Sequence, residues 1–266
     1  EFNNNYTRVL IFTNTVKVWR YNTMGDYWLY DIIANKLTKM GKKLLPQSLM
    51  FAKFSPDGKD VAYVSEHNIY SEDISNGEIT KLTKDGTRKL INGTFDWVYE
   101  EEFNCRDGFR WSPDGTMIAF WQVDATKIKD YYMLNTTDSN YSQVIPVEYP
   151  KVGEAPSAVK IGVVNINTKN VKWMDIAGDP QQHYLPRMEW AAKNELVVQQ
   201  LNRKQQESKL IYCNVTDGKA RVFWTENNQA WVDLNTSDPK GWNWINDGKE
   251  FIWVSEKDGW RHIYKI

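Results

Sequence analysis

A chain of 266 residues is long enough for one large all-β domain or two small ones, with ample material for a core. Its net charge of -1 argues against nucleic acid or an anionic membrane surface as a partner. The two cysteines, Cys105 and Cys213, are too few and too far apart for a disulfide framework or a zinc site, so two free thiols are the simpler reading. Nothing in the pattern calls for a metal ion or another cofactor, and no apolar run is long enough to cross a bilayer as a helix. The 13 tryptophans and 14 tyrosines are high for this length and favour sheet. The chain opens at Glu1 without a leader and is expected to be an excised piece of a longer protein, so its start carries no information on location.

In chain order, residues 1 to about 45 have strand-like alternation without a clear opening turn. The clearest repeat follows: Phe54-Ser55-Pro56-Asp57-Gly58, then the alternating run Lys59 to Ser65, then Asn68-Ile69-Tyr70 and Gly77 to Thr83. Proline fixes φ and glycine accepts positive φ, so Pro-Asp-Gly sets a tight turn between two strands. The motif returns at Trp111-Ser112-Pro113-Asp114-Gly115, in degraded form at Trp190 to Val198, and again at Trp244 to Val254. Between these copies sit second hairpins such as Lys209 to Val215, closed by Asp217-Gly218. Repeats of roughly 40 residues or more, each about four strands, are the mark of β-propeller blades. The fold class is therefore all-β: a β-propeller fragment of four-stranded antiparallel blades. The count is about four to five blades, the last starting at Gly241 and stopping halfway.

Two insertions break the spacing. The first, Asn92 to Asn104, contains Asp96-Trp97-Val98-Tyr99-Glu100-Glu101-Glu102. Adjacent carboxylates repel, and enclosing them is costly without a cation. On a strand they would point to opposite faces; in a helical turn two of them can hold one cation from the same side, with Asp96 as the cap. A solvated acidic loop is the competing reading. The second insertion, residues 127 to 159, is too long for a tight connection. Its tyrosines and the run Val144-Ile145-Pro146-Val147 favour an ordered arm over a floppy loop. Asn-x-Ser/Thr triplets at Asn5, Asn92, Asn135, Asn140, Asn214 and Asn235 are common by chance in an Asn-rich chain.

The string Asp96 to Glu102, followed closely by Trp111-Ser112-Pro113-Asp114-Gly115, resembles the propeller domain of the dipeptidyl peptidase IV family, in its bacterial form. Trp19-Arg20 resembles that family's arginine strand, and Glu148-Tyr149-Pro150-Lys151-Val152-Gly153 the segment leaving its extended arm. Tyr184 to Trp190 and Gly259 to Tyr264 also look like family blade segments. The resemblance runs through nearly all of residues 1–266, read as one partial propeller domain. It implies a serine exopeptidase releasing N-terminal X-Pro or X-Ala dipeptides, with the propeller anchoring and gating the substrate. This chain has no Gly-x-Ser-x-Gly elbow. His67, His183 and His262 sit in strand or turn contexts, as surface or packing residues. The catalytic α/β-hydrolase domain with its Ser-Asp-His triad is therefore expected outside this chain, and no catalytic residue within it.

By the resemblance, Glu101 and Glu102 bind the substrate α-ammonium, which is largely charged at neutral pH with a pKa of about 8. Glu100 faces away into a structural contact. Arg20 steadies the pair and contacts a substrate carbonyl; on physical grounds alone it is a surface arginine stacked on Trp19 or Tyr21. Cys105 either lines the same pocket or is simply packed. The implied partners are peptides with a free N-terminus, the protein's own C-terminal hydrolase domain, and a second copy bound through arm 127–159. The implied location is extracytoplasmic. The alternative is a non-catalytic peptide-binding or protein-interaction propeller.

Overall fold

The computed structural model describes residues 1–234, 243–246 and 249–266. They fall into two compact units: Glu1–Thr94, Asp107–Gln122 and Ile161–Trp173 form the first, and Phe95–Arg106, Val123–Lys160 and Met174–Ile266 the second. The Asn235 triplet, Gly241 and the Asp247-Gly248 turn lie outside the described residues.

The first unit opens with a long hairpin, β1 (Arg8–Lys17) and β2 (Asn22–Asp31), with β3 (Lys36–Lys39) on the far edge of β2. A meander follows: β4 (Leu49–Phe54), β5 (Asp60–Ser65), β6 (Asn68–Asp73) and β7 (Ile79–Lys81). The Ser-Pro-Asp-Gly turns are physical as well as sequence repeats. Ser55 Oγ donates to Asp57 Oδ1 at 2.7 Å and accepts from Asp60 N at 3.0 Å, and Gly58 takes φ +70. Ser112 does the same with Asp114 (2.7 Å) and Met117 N (3.0 Å), with Gly115 at φ +69. β2 also pairs with β4 at Met24↔Met50 and Gly25↔Leu49, which joins the first two strand groups into a seven-stranded sheet.

A second sheet carries both insertions. Its strands are β8 (Leu90–Asn92), β9 (Phe109–Trp111), β10 (Met117–Asp124), β13 (Ala158–Asn165) and β14 (Val171–Trp173), in the order β14-β13-β10-β8 with β9 also on β10. Helix α1 (Trp97–Phe103) separates β8 from β9, and the hairpin of β11 (Asp130–Asn135) with β12 (Gln143–Glu148) separates β10 from β13. Trp121 donates its N–H to Gly108 O at 3.1 Å, and its carbonyl accepts from Gly93 N at 3.0 Å. Both backbone groups of one strand residue point to the same edge. β8 and β9 are therefore two halves of one edge strand, interrupted by the helix. Buried Phe109, Ile118, Phe120 and Val164 pack with Ala62, Val64 and Ile69 beneath.

In the second unit β15 (His183–Ala192), β16 (Glu195–Asn202), β17 (Glu207–Asn214) and β18 (Ala220–Asn227) form a four-stranded antiparallel meander. The last strands are β19 (Asn243–Ile245), β20 (Glu250–Ser255) and β21 (His262–Lys265). The fold is all-β, a β-propeller fragment whose strand groups match the four to five blades of the repeat count. Cys105 and Cys213 are both buried free thiols, and burial pushes the Cys213 thiol up to about 12. No helix among the described residues is long and apolar enough to cross a membrane.

Candidate functional site

The acidic stretch folds as α1 because its ends are locally encoded. Asp96 is the N-cap in extended conformation, and its Oδ1 accepts from Tyr99 N at 3.1 Å. Its Oδ2 accepts from the Ser157 hydroxyl at 2.6 Å. Burial holds the Asp96 carboxyl above the usual range, with Glu148 pushing the same way and the two hydrogen bonds opposing. Asn104 ends the helix in left-handed conformation at φ 56. Tyr99 and Phe103, four residues apart, form its apolar face against β15. The Tyr99 hydroxyl accepts from Leu185 N at 3.0 Å, and the Phe103 ring lies 4.9 Å from that of Tyr184. Buried Arg187 donates to the Phe103 carbonyl at 3.0 Å and to Pro186 O at 2.8 Å.

Successive helix residues diverge by about 100°, so the three glutamates fan out. Glu100 is buried and takes Arg106 Nε at 3.3 Å, a structural ion pair. Glu101 is half-buried and Glu102 exposed. Cys105 packs below the helix, its thiol donating to Pro186 O at 3.2 Å.

Glu102 opens onto a cavity of about 610 Å³. Trp97 and Val98 complete the helix side, residues 149–152 with Glu154 and Pro156 form the arm side, and Tyr184, Arg203 and Gln205 close it. The Trp97 and Tyr149 rings lie 4.3 Å apart. Arg203 stands in the β16–β17 turn, which Asn202 holds through its side-chain oxygen, accepting from Gln206 N at 2.8 Å and Glu207 N at 3.1 Å. The Arg203 guanidinium covers the Tyr184 ring at 5.4 Å, donates to the Tyr184 hydroxyl, and reaches the Glu154 carbonyl at 3.3 Å. Burial raises the Tyr184 phenol; Arg203 opposes this and the Glu102 charge adds to it. Glu154 itself pairs with Lys129 at 2.9 Å.

Arg20 belongs to the first unit and Glu101 and Glu102 to the second. Arg20 is exposed in the connection between β1 and β2 rather than on a strand, in a turn closed by Val18 N to Tyr21 O at 3.1 Å. His67 lies in the β5–β6 turn at φ 60. His183 is buried on β15, with its Nδ1 3.0 Å from Gln200 Nε2, and His262 is exposed beside Asp258 at 2.9 Å. Sequence reasoning missed Tyr184 and Arg203 as cavity residues. A turn arginine about a hundred residues after the glutamates carries no local signal.

The architecture and this helix define an all-β, propeller-type chain with an acidic helical insertion. The family model for the dipeptidyl peptidase IV (DPP IV) N-terminal region matches residues 3–266, and the chain belongs to that family. The crystal structure of Porphyromonas gingivalis dipeptidyl peptidase 4 matches the whole chain with a TM-score of 0.92 and 30% identity, covering 37% of that protein. Dipeptidyl peptidase 4 of Felis catus is 28% identical over 97% of this chain and 36% of its own length. A probable dipeptidyl-aminopeptidase B of Penicillium rubens is 29% identical over 81% of this chain. The chain spans 25% of that fungal relative, so it corresponds to about a quarter to a third of the curated proteins it resembles.

Proposed function

We propose that this chain is the substrate-anchoring and gating propeller of a serine exopeptidase that releases X-Pro or X-Ala dipeptides from polypeptide N-termini. Glu101 and Glu102 bind the substrate α-ammonium, and Arg20 contacts a substrate carbonyl. Holding the amine at a fixed distance from a nucleophile elsewhere in the protein measures off two residues and supplies orientation, not bond chemistry. The Ser-Asp-His triad belongs to a hydrolase domain outside residues 1–266, and this chain alone is inactive. The supporting observation is the division of labour along α1: Glu100 is paired with Arg106, while Glu102 faces a cavity.

In the full-length protein, Glu101→Gln or Glu102→Gln is expected to cost about 2–5 kcal/mol, a 30-fold to several thousand-fold loss of kcat/KM on a free-amine dipeptide substrate. The thermal midpoint should stay at the wild-type value. Wild-type kcat/KM in the double variant would refute the assignment.

A further inference from the structure

Strand β15 meets helix α1 through a bulge. Its pairing with β16 runs Tyr184↔Leu201 and then Arg187↔Gln199, so Leu185 and Pro186 stand against the single residue Gln200. An extra residue of this kind turns neighbouring side chains out of the regular alternation. Here each residue around the bulge is committed to the helix. The Tyr184 ring lies 4.9 Å from that of Phe103, Leu185 N donates to the Tyr99 hydroxyl at 3.0 Å, and the Pro186 carbonyl accepts from the Cys105 thiol at 3.2 Å. Arg187 closes the group: its Nη1 donates to Phe103 O at 3.0 Å and to Pro186 O at 2.8 Å, with Cys105 Sγ 3.3 Å away.

Phe103 is the last residue of α1, and its carbonyl is one of the four that a helix leaves without an internal partner. That end is also the negative end of the aligned peptide dipoles. Glu100, Glu101 and Glu102 stand just before it, and the last turn of α1 has no basic residue of its own. Arg106 is paired with Glu100. β15 therefore supplies a cation to the helix end, on a side chain only 2% exposed. A guanidinium stays charged when buried and carries a planar fork of donors, whereas a buried lysine readily gives up its proton. We propose that Arg187 is a positioning residue: by holding the Phe103 carbonyl it fixes the last turn of α1, and with it the aim of Glu101 and Glu102. The proposal rests on the reading that these glutamates hold the substrate ammonium.

The test uses the dipeptide Ala-Pro and its N-acetyl form as ligands of the full-length protein at pH 7, by titration calorimetry. Acetylation removes the ammonium and leaves the rest of the ligand in place. Wild type should bind Ala-Pro at least about 30-fold more tightly than the acetylated form, the effect of removing one partner from an enclosed charge pair. Arg187→Met, similar in length but without donors, should lower that ratio about tenfold, and Arg187→Lys about threefold. A role confined to stability would lower the thermal midpoint and leave the ratio alone. A wild-type ratio in folded Arg187→Met overturns the positioning role while the ammonium site stands. Should that variant not fold, a wild-type ratio in Arg187→Lys overturns it instead. Equal binding of the two ligands by wild type removes the ammonium site, and the positioning role with it.

Discussion

At the scale of single residues, Asp96 does two things that pull against each other. As a cap it satisfies the Tyr99 amide and receives the Ser157 hydroxyl, yet it is buried near the Glu148 charge. A carboxyl raised by burial binds its proton more tightly in the folded than in the unfolded chain. Stability therefore falls as pH rises from the ordinary Asp value of about 3.9 through the raised folded value, and the full penalty applies above it. Asparagine caps helices about as well and stays neutral. Asp96→Asn should gain stability relative to wild type between pH 4.5 and pH 7.5, measured by urea unfolding at each pH. A difference that is flat or of opposite slope would show that the buried carboxyl is fully compensated. Asp96 as cap and Glu100 as a glutamate turned away could both be read from residue order, since caps and helical spacing are local. The partner of Glu100, Arg106, could not: it lies beyond the helix end, and only the left-handed Asn104 turns the chain back to it.

Among the elements, the edge strand of the five-stranded sheet is interrupted where the chain departs into α1. The chain leaves the sheet at Gly93 and returns at Gly108, where Gly108 N donates to Gly93 O at 3.0 Å. A Cβ on Gly108 would sit 2.6 Å from Gly93 C and 2.8 Å from Thr94 N, both backbone atoms that cannot rotate aside. Gly108→Ala is therefore expected to destabilise by about 1–3 kcal/mol, read as a lower urea midpoint. An unchanged midpoint would mean the neck has slack. The Ser-Pro-Asp-Gly turns were legible because each is closed within five residues by its own serine and aspartate. The Gly93–Gly108 contact and the β2–β4 pairing were not, because no periodicity reports where two distant backbones approach. The Asn92 triplet shows the same limit: the asparagine is fully buried and its amide donates to Asp85 at 3.0 Å.

For the molecule as a whole, the arm is the feature least able to stand alone. β11 and β12 make only a two-stranded ladder, marginal in water by itself. Tyr132, Leu134, Tyr141 and Val144 on it are more than half exposed. Covering that surface with a second copy of the arm is our reading of its role. Replacing residues 133–145 by a tight turn in the full-length protein should convert a dimer to a monomer in sedimentation velocity, with the fold retained. A wild-type monomer, or a dimer that survives the excision, would rule the arm out. Its order was legible from Val144 to Val147; its contribution to the wall opposite Glu102, through Tyr149 and Glu154, was not, since that depends on tertiary placement. The glycine neck has one more consequence. A segment that departs and rejoins at a single point can be swapped, lengthened or trimmed in descendants of the gene without disturbing the strands, so what this scaffold recognises is free to diversify while the scaffold itself is inherited intact.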